Sequence, residues 1–173
     1  MALTNFDDYQ AQAAETAIYP ASARLVYPAL GLCGEVGELS AALAAGAPDD
    51  ITQAECGDVL WYVAAVCRDA NLSMQDIADN ATTDLRTTAA VGAGLVAEGV
   101  KKWLRDFGCE MVEGHLPQKI ANRVMPGLVM TMSALRQIGA VWGLDLLEVA
   151  EANLNKLRSR QERGVLQGDG DQR

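Results

Sequence analysis

The stretch GLCGEVGELSAALAAGAPDDITQAECGDVLWYVAA, residues 31–65, decides the fold. Neither side of Gly46-Ala47-Pro48 shows sustained alternation of apolar and polar residues, so both sides read as helix and the middle as a stop. Two helices joined by so short a connection form an antiparallel hairpin. Pro28 fits the first turn of the leading helix. Thr52-Gln53-Ala54-Glu55 reads as a capping box near the start of the following helix, which ends near Asn71. On the leading helix Glu35 and Glu38 are three apart and share a face, with Cβ atoms roughly 5–6 Å apart. Glu55 and Asp58 repeat that spacing on the second helix. Each pair lies about two turns from the connection, at roughly 1.5 Å per residue, so the four carboxylates meet at one level.

Their setting is apolar: Leu32, Val36 and Leu39 surround the first pair, and Val59, Leu60 and Trp61 follow the second. Gly31, Gly34, Gly37 and Gly57 lie beside them, each costing about 1 kcal/mol against alanine within a helix. Glycines kept at that cost indicate something approaching the backbone closely. Four converging carboxylates repel one another, and some are driven to protonate unless a cation intervenes. A hard divalent ion with oxygen ligands resolves the conflict, with Mg²⁺ the default. The plainer reading is two solvated helix faces, with Glu55 serving only its cap.

Outward from the hairpin the chain continues as helices. Asn5 caps a first helix, with Asp7 and Asp8 in its first turn, running to about Ile18. YPASARLVYP (19–28) is a loop. Ser73 opens a short fourth helix ending near Arg86, and a fifth runs from about Ala89 to Phe107. A sixth spans about 118–142, kinked or broken at Pro126-Gly127. Asp145 caps a seventh that ends near Arg163, and residues 164–173 form a flexible tail. The fold class is therefore all-α: a helical bundle built on the acidic hairpin.

Half of the 173 residues are hydrophobic and only 5% aromatic, which suits one helical domain, or two small repeats sharing a core. No apolar run approaches the roughly 18–20 residues of a membrane span, and MALTNFDDYQ lacks the order of a signal peptide. The cysteines (Cys33, Cys56, Cys67, Cys109) show no CxxC spacing and read as buried free thiols of a cytoplasmic protein. The net charge of -9 argues against a nucleic-acid partner. That charge is lopsided. Residues 1–100 hold three basic side chains (Arg24, Arg68, Arg86) against fourteen acidic, whereas residues 101–173 hold eleven against nine.

The basic half carries a second constellation: Asn153, Lys156, Arg158, Arg160 and Arg163. Lys156 and Arg160 are i, i+4, and Asn153 with Lys156 is i, i+3, so one face presents donors suited to phosphate oxygens. The alternative is basic charge favoured at a helix C-terminus. Trp61 is a possible base contact, although Trp61 and Tyr62 also suit a core. A di-iron carboxylate bundle would need Glu-x-x-His pairs, and the single His115 has no glutamate at that spacing. A non-catalytic helical interaction module would leave the acids merely solvated.

An internal echo accompanies the two constellations. LSMQDIADNATTDLR (72–86) aligns with LDLLEVAEANLNKLR (144–158), and CGDVLWYVAA (56–65) aligns loosely with PGLVMTMSAL (126–135). Fixed spacing of several identities favours duplication over chance.

The ordered pair ExxE then ExxD, here GLCGEVGEL and ECGDVLWYVAA with sixteen residues between Glu38 and Glu55, resembles the signature of the MazG-like family of all-α nucleoside triphosphate pyrophosphohydrolases. YQAQAAETAIYP (9–20) and EANLNKLRSRQERGVLQGDGDQR (151–173) are similar to a phage and bacterial branch of it. The resemblance implies hydrolysis of an NTP or dNTP to the monophosphate and pyrophosphate. It implies Glu35, Glu38, Glu55 and Asp58 as ligands of two or more Mg²⁺ ions, with Mn²⁺ able to substitute. It assigns Glu38 or Glu35 as general base and Asn153, Lys156 and Arg160 to the phosphates, and Arg163 of the same constellation is placed with them. It leans to deoxynucleotides, dGTP among purines, with dUTPase and phosphoribosyl-ATP pyrophosphohydrolase as alternatives in the same superfamily. It also implies a homodimer or dimer of dimers, in the cytoplasm (the host's, if phage-encoded).

The middle departs from that pattern. The lysine-rich piece appears late, as GAGLVAEGVKKWLRDFG (92–108), with Gly92 and Leu95 where the glutamates belong. Met125 and Leu128 fall where the second acidic pair belongs. Ala81 and Asp84 stand against Asn153 and Lys156. The expectation is a tandem duplication with complementary decay, in which copy 22–88 kept the acids, copy 89–163 kept the cations, and the chain makes one composite site.

Overall fold

A computed structural model of the chain describes residues 3–83 and 88–166. Among the described residues the regular structure is helical, apart from one isolated bridge between Val112 and His115. The helices are α1 (Phe6–Ala14), α2 (Val26–Ala45), α3 (Asp49–Ala70), α4 (Met74–Asp79), α5 (Ala89–Phe107), α6 (Gln118–Trp142) and α7 (Leu146–Glu162), with a 3-10 turn at Ala21–Ala23. The expected caps form where a short polar side chain meets free amides: Asn5 accepts from Asp8, Ser73 from Asp76, and Asp145 from Leu147 and Glu148.

Several boundaries depart from the sequence reading. The capping box at Thr52 does not form. Extended Pro48 precedes α3 instead, placing Asp49 and Asp50 at its positive end and Thr52 already inside the ladder, its amide on the Pro48 carbonyl at 3.0 Å. α1 stops at Ala14 rather than Ile18, because the amides of Glu15 and Thr16 tighten onto Gln12 and Ala13 and the chain must extend before Pro20. α4 ends at Asp79; its expected end near Arg86, like the tail beyond 166, lies outside the described residues. α6 is not broken at Pro126. Pro126 and Asn122 are exposed, so water can satisfy the carbonyl that loses its amide. Cys56 and Cys67 are buried free thiols as expected, but Cys33 and Cys109 are exposed.

α6 is long and apolar enough to cross a membrane by length and composition, although half of its apolar window is buried inside the bundle. Ile120, Val124, Leu128, Met132 and Leu135 line that buried face, which packs into the core of the bundle.

Two hairpins build the bundle. α2 pairs with α3 and α5 with α6, and they join where α2 meets α5 and α3 meets α6. The short ends cross over: α7 packs on α3, and α4 packs on α6. Exchanging α2-α3-α4 for α5-α6-α7 therefore preserves the pattern of neighbours, with α1 added against α3, α4 and α7.

The loop before α2 is tied to α3 by buried Asp69, which accepts from the Leu25 amide at 2.7 Å and the Tyr19 hydroxyl at 2.9 Å. Those bonds hold Leu25 at φ 64, a left-handed conformation that a leucine adopts only under such constraint.

The α5–α6 seam is closed by backbone contact. A Cβ at Gly92 would stand 2.6 Å from the Gly127 carbonyl oxygen, and one at Gly127 would stand 2.7 Å from that of Gly92. Gly92→Ala should therefore destabilise the protein by about 1–3 kcal/mol through overpacking. Gly94→Ala, which meets open space, should be neutral or stabilising by about 0.5–1 kcal/mol. Urea unfolding of both variants checks the pair.

Candidate active site

The hairpin delivers three of the four expected carboxylates to one point. Single oxygens of Glu35, Glu38 and Glu55 lie within 4.8 Å of one another. Glu35 and Glu55 are half-buried and Glu38 is exposed, so the cluster sits at the lip of the α2–α3 gap. Burial, followed by the charges of Asp58, Glu38 and Glu55, pushes the Glu35 carboxyl up to about 7, with Lys156 opposing.

Asp58, one turn beyond Glu55, is committed to α7. Lys156 Nζ lies 2.7 Å from Asp58 Oδ1 and 2.6 Å from Oδ2, and Asn153 Nδ2 donates to Oδ1 at 2.9 Å. The acidic half and the basic half of the sequence thus meet in the Asp58–Lys156 ion pair, both members largely shielded. Gly57 makes the meeting possible. A Cβ there would stand 3.0 Å from that of Asn153, tighter than helices normally pack. Gly31 does the same for Tyr62, whose ring would lie 2.0 Å from an added Cβ. Gly34 and Gly37 meet nothing within 4 Å, so the expected close approach holds at two of the four glycines.

The remaining predicted residues scatter. Arg160 is 5% exposed and engaged within the fold, whereas Arg163 caps the end of α7 at the surface. Arg158 donates to Gln12 at 2.6 Å, a tie to α1. Trp61 turns toward α1, donating to Thr16 Oγ1 at 2.9 Å. Tyr62 packs against Gly31, one turn before Glu35, and burial first, then Tyr27, Glu35 and Asp58, raise its phenol. Tyr27, which stacks on Tyr19, lies beside it. Sequence spacing could have singled out Tyr62, four residues after Asp58 and so on the same face. It offered no sign of Tyr9 or of the groove between α3 and α7. That cavity, about 140 Å³, is lined by Asp50, Gln53, Gly57, Val149, Asn153 and Lys156.

Oxygen donors alone, gathered within 4.8 Å of one another, suit a hard divalent cation. A cation there would also relieve Glu35, whose carboxyl is raised by burial first and then by the carboxylates around it.

The model of the MazG nucleotide pyrophosphohydrolase domain matches residues 28–87, which contain all four acids and end well before α7. The Gene 37 protein of Mycobacterium phage L5 is 39% identical over 88 residues, covering 50% of this chain and 73% of that protein. No solved structure matches the chain. The chain belongs to the MazG-like family of nucleotide pyrophosphohydrolases.

A carboxyl raised above its unfolded value stabilises the fold below about pH 4.5 and loses that contribution as pH rises through about 7. Without divalent metal, Glu35→Gln should therefore raise Tm at pH 8 by about 2–4 °C and flatten its dependence between these pH values. Thermal unfolding in EDTA measures it; a fall in Tm at pH 8 would contradict the crowding.

Proposed function

We propose that this member of the family hydrolyses a nucleoside triphosphate to the monophosphate and pyrophosphate, with Mg²⁺ as cofactor. The observation that carries the reading is the junction of the Glu35–Glu38–Glu55 cluster with the Asp58–Lys156 pair: anionic ligands for metal beside a cation for phosphate. Glu35, Glu38 and Glu55 would hold Mg²⁺ directly, and Asp58 would join them once phosphate oxygens draw Lys156 away. Bound there, Mg²⁺ supplies charge neutralisation and lowers the pKa of water that attacks the α-phosphorus. Mn²⁺, with similar ligand preferences, should substitute.

Lys156 opposes the charge that builds on the departing pyrophosphate, and Asn153 offers a neutral donor beside it. Glu38 is the better candidate for general base than Glu35, because it is exposed to water at the lip. The groove beside Lys156 has room for part of the nucleotide. We read the substrate as a deoxynucleoside triphosphate, with dGTP first among those to try.

We also read the chain as a tandem duplication that makes one composite site in the cytoplasm. The exchange of α4 and α7 between hairpins supports this, because it places cations of the second half on acids of the first. A homodimer would then be an assembly of complete sites rather than a requirement for completing one.

Glu38→Gln should abolish Mg²⁺-dependent pyrophosphate release while leaving the fold intact. Lys156→Ala should lower kcat/KM by about 10- to 100-fold. A panel of all NTPs, dNTPs, dUTP and phosphoribosyl-ATP, scored for pyrophosphate, ranks the substrates. No release from any of them, and no heat of Mg²⁺ binding, would favour a non-catalytic helical module.

A further inference from the structure

The N-terminal helix lies outside the segment matched to the family, yet it reaches the site. Tyr9 is fully buried, and its hydroxyl donates to Asn153 Oδ1 at 2.9 Å, across 144 positions of sequence. Packing alone does not call for that hydroxyl, since phenylalanine fills nearly the same volume and buries no polar atom.

The bond has a directional consequence. An amide can present either its oxygen or its nitrogen to a neighbour, and the two orientations are nearly equal in shape. With Tyr9 donating to the oxygen, the nitrogen of Asn153 must face Asp58, to which it donates at 2.9 Å. The reverse orientation would set the amide oxygen against a carboxylate, where the two repel. Asn153 is only 3% exposed, so water is a poor substitute for either partner. Asp58 in turn takes both of its short contacts from Lys156. Gln12, one turn after Tyr9, accepts from Arg158 at 2.6 Å and ties the same two helices a second time.

We propose that Tyr9 is a positioning residue: its hydroxyl fixes the amide of Asn153, and through it the placement of Asp58 and Lys156 toward metal and phosphate. This inference rests on the hydrolytic reading of the site.

The test compares wild type, Tyr9→Phe, Asn153→Ala and the double variant for kcat, KM and the Mg²⁺ concentration giving half-maximal rate, with Tm alongside. Tyr9→Phe should lower kcat/KM about 10-fold and raise the half-saturating Mg²⁺ concentration. Added to Asn153→Ala, it should change either by less than about 2-fold, because the intermediary is already gone. Equal losses in both backgrounds, or a lower Tm with unchanged kinetics, would overturn the proposal. If wild type hydrolyses no triphosphate, the hydrolytic reading fails by itself. Calorimetry with Mg²⁺ alone then reads the same cycle: weaker binding in Tyr9→Phe only where Asn153 is present supports positioning, and equal binding in all four proteins overturns it. Should Tyr9→Phe fail to fold, wild-type NMR decides. Asn153 side-chain amide protons protected from solvent and shifted by Mg²⁺ support the proposal, and unprotected or unresponsive ones overturn it.

Discussion

Three carboxylates crowd together beside a fourth, Asp58, which Lys156 pairs from the far end of the chain. That imbalance organises the molecule. Glu35 shows it most directly, driven up to about 7 by burial and by the carboxylates around it. Such a group does not serve stability, since crowding like charges in a half-buried setting is costly. Its retention fits a site that waits for cationic charge, and the rest of the architecture brings Lys156 and Asn153 to meet it.

The second hairpin shows what happens where that demand is absent. At Gly92 and Gly127 the helices of the α5–α6 pair touch backbone to backbone, leaving no gap for side chains to line. Leu95 and Met125, at the positions aligned with Glu38 and Glu55, stand partly exposed on the outside of that closed seam. The two hairpins are thus alike in connectivity and different in their seams: one carries acids at its edge, the other is zipped shut by glycine. The closed hairpin serves as scaffold, and the helix that follows it, α7, packs on α3.

Much of this was legible in the sequence because the signals are local. The hairpin, both acidic pairs, the ends of α5 and the Asp145 cap follow from spacing and from residues that satisfy free amides within one turn. Pro48 was legible as punctuation but not as the entry to α3, since it both stops one helix and precedes the next. The exposure of Cys33 could not be read from its apolar neighbours, because the face of α2 it occupies is set by packing against α3 and α5. Trp61 and Tyr62 are adjacent and equally apolar in sequence; only the docking of α1 on one side and Gly31 on the other sends one to Thr16 and the other against α2. The Tyr9–Asn153 bond is entirely tertiary and has no sequence signature.

On the proposed reading, acids from the first half and cations from the second form one site within a single chain. Mixing and co-refolding the Glu38→Gln and Lys156→Ala proteins in equal amounts, then assaying Mg²⁺-dependent pyrophosphate release, tests it most directly. Each chain would carry a broken site, so the mixture should show no more activity than the average of the two variants measured separately. Recovery well above that average, toward a substantial fraction of the wild-type rate, would mean that acids and cations are contributed by different chains and would rule out a site made within one chain.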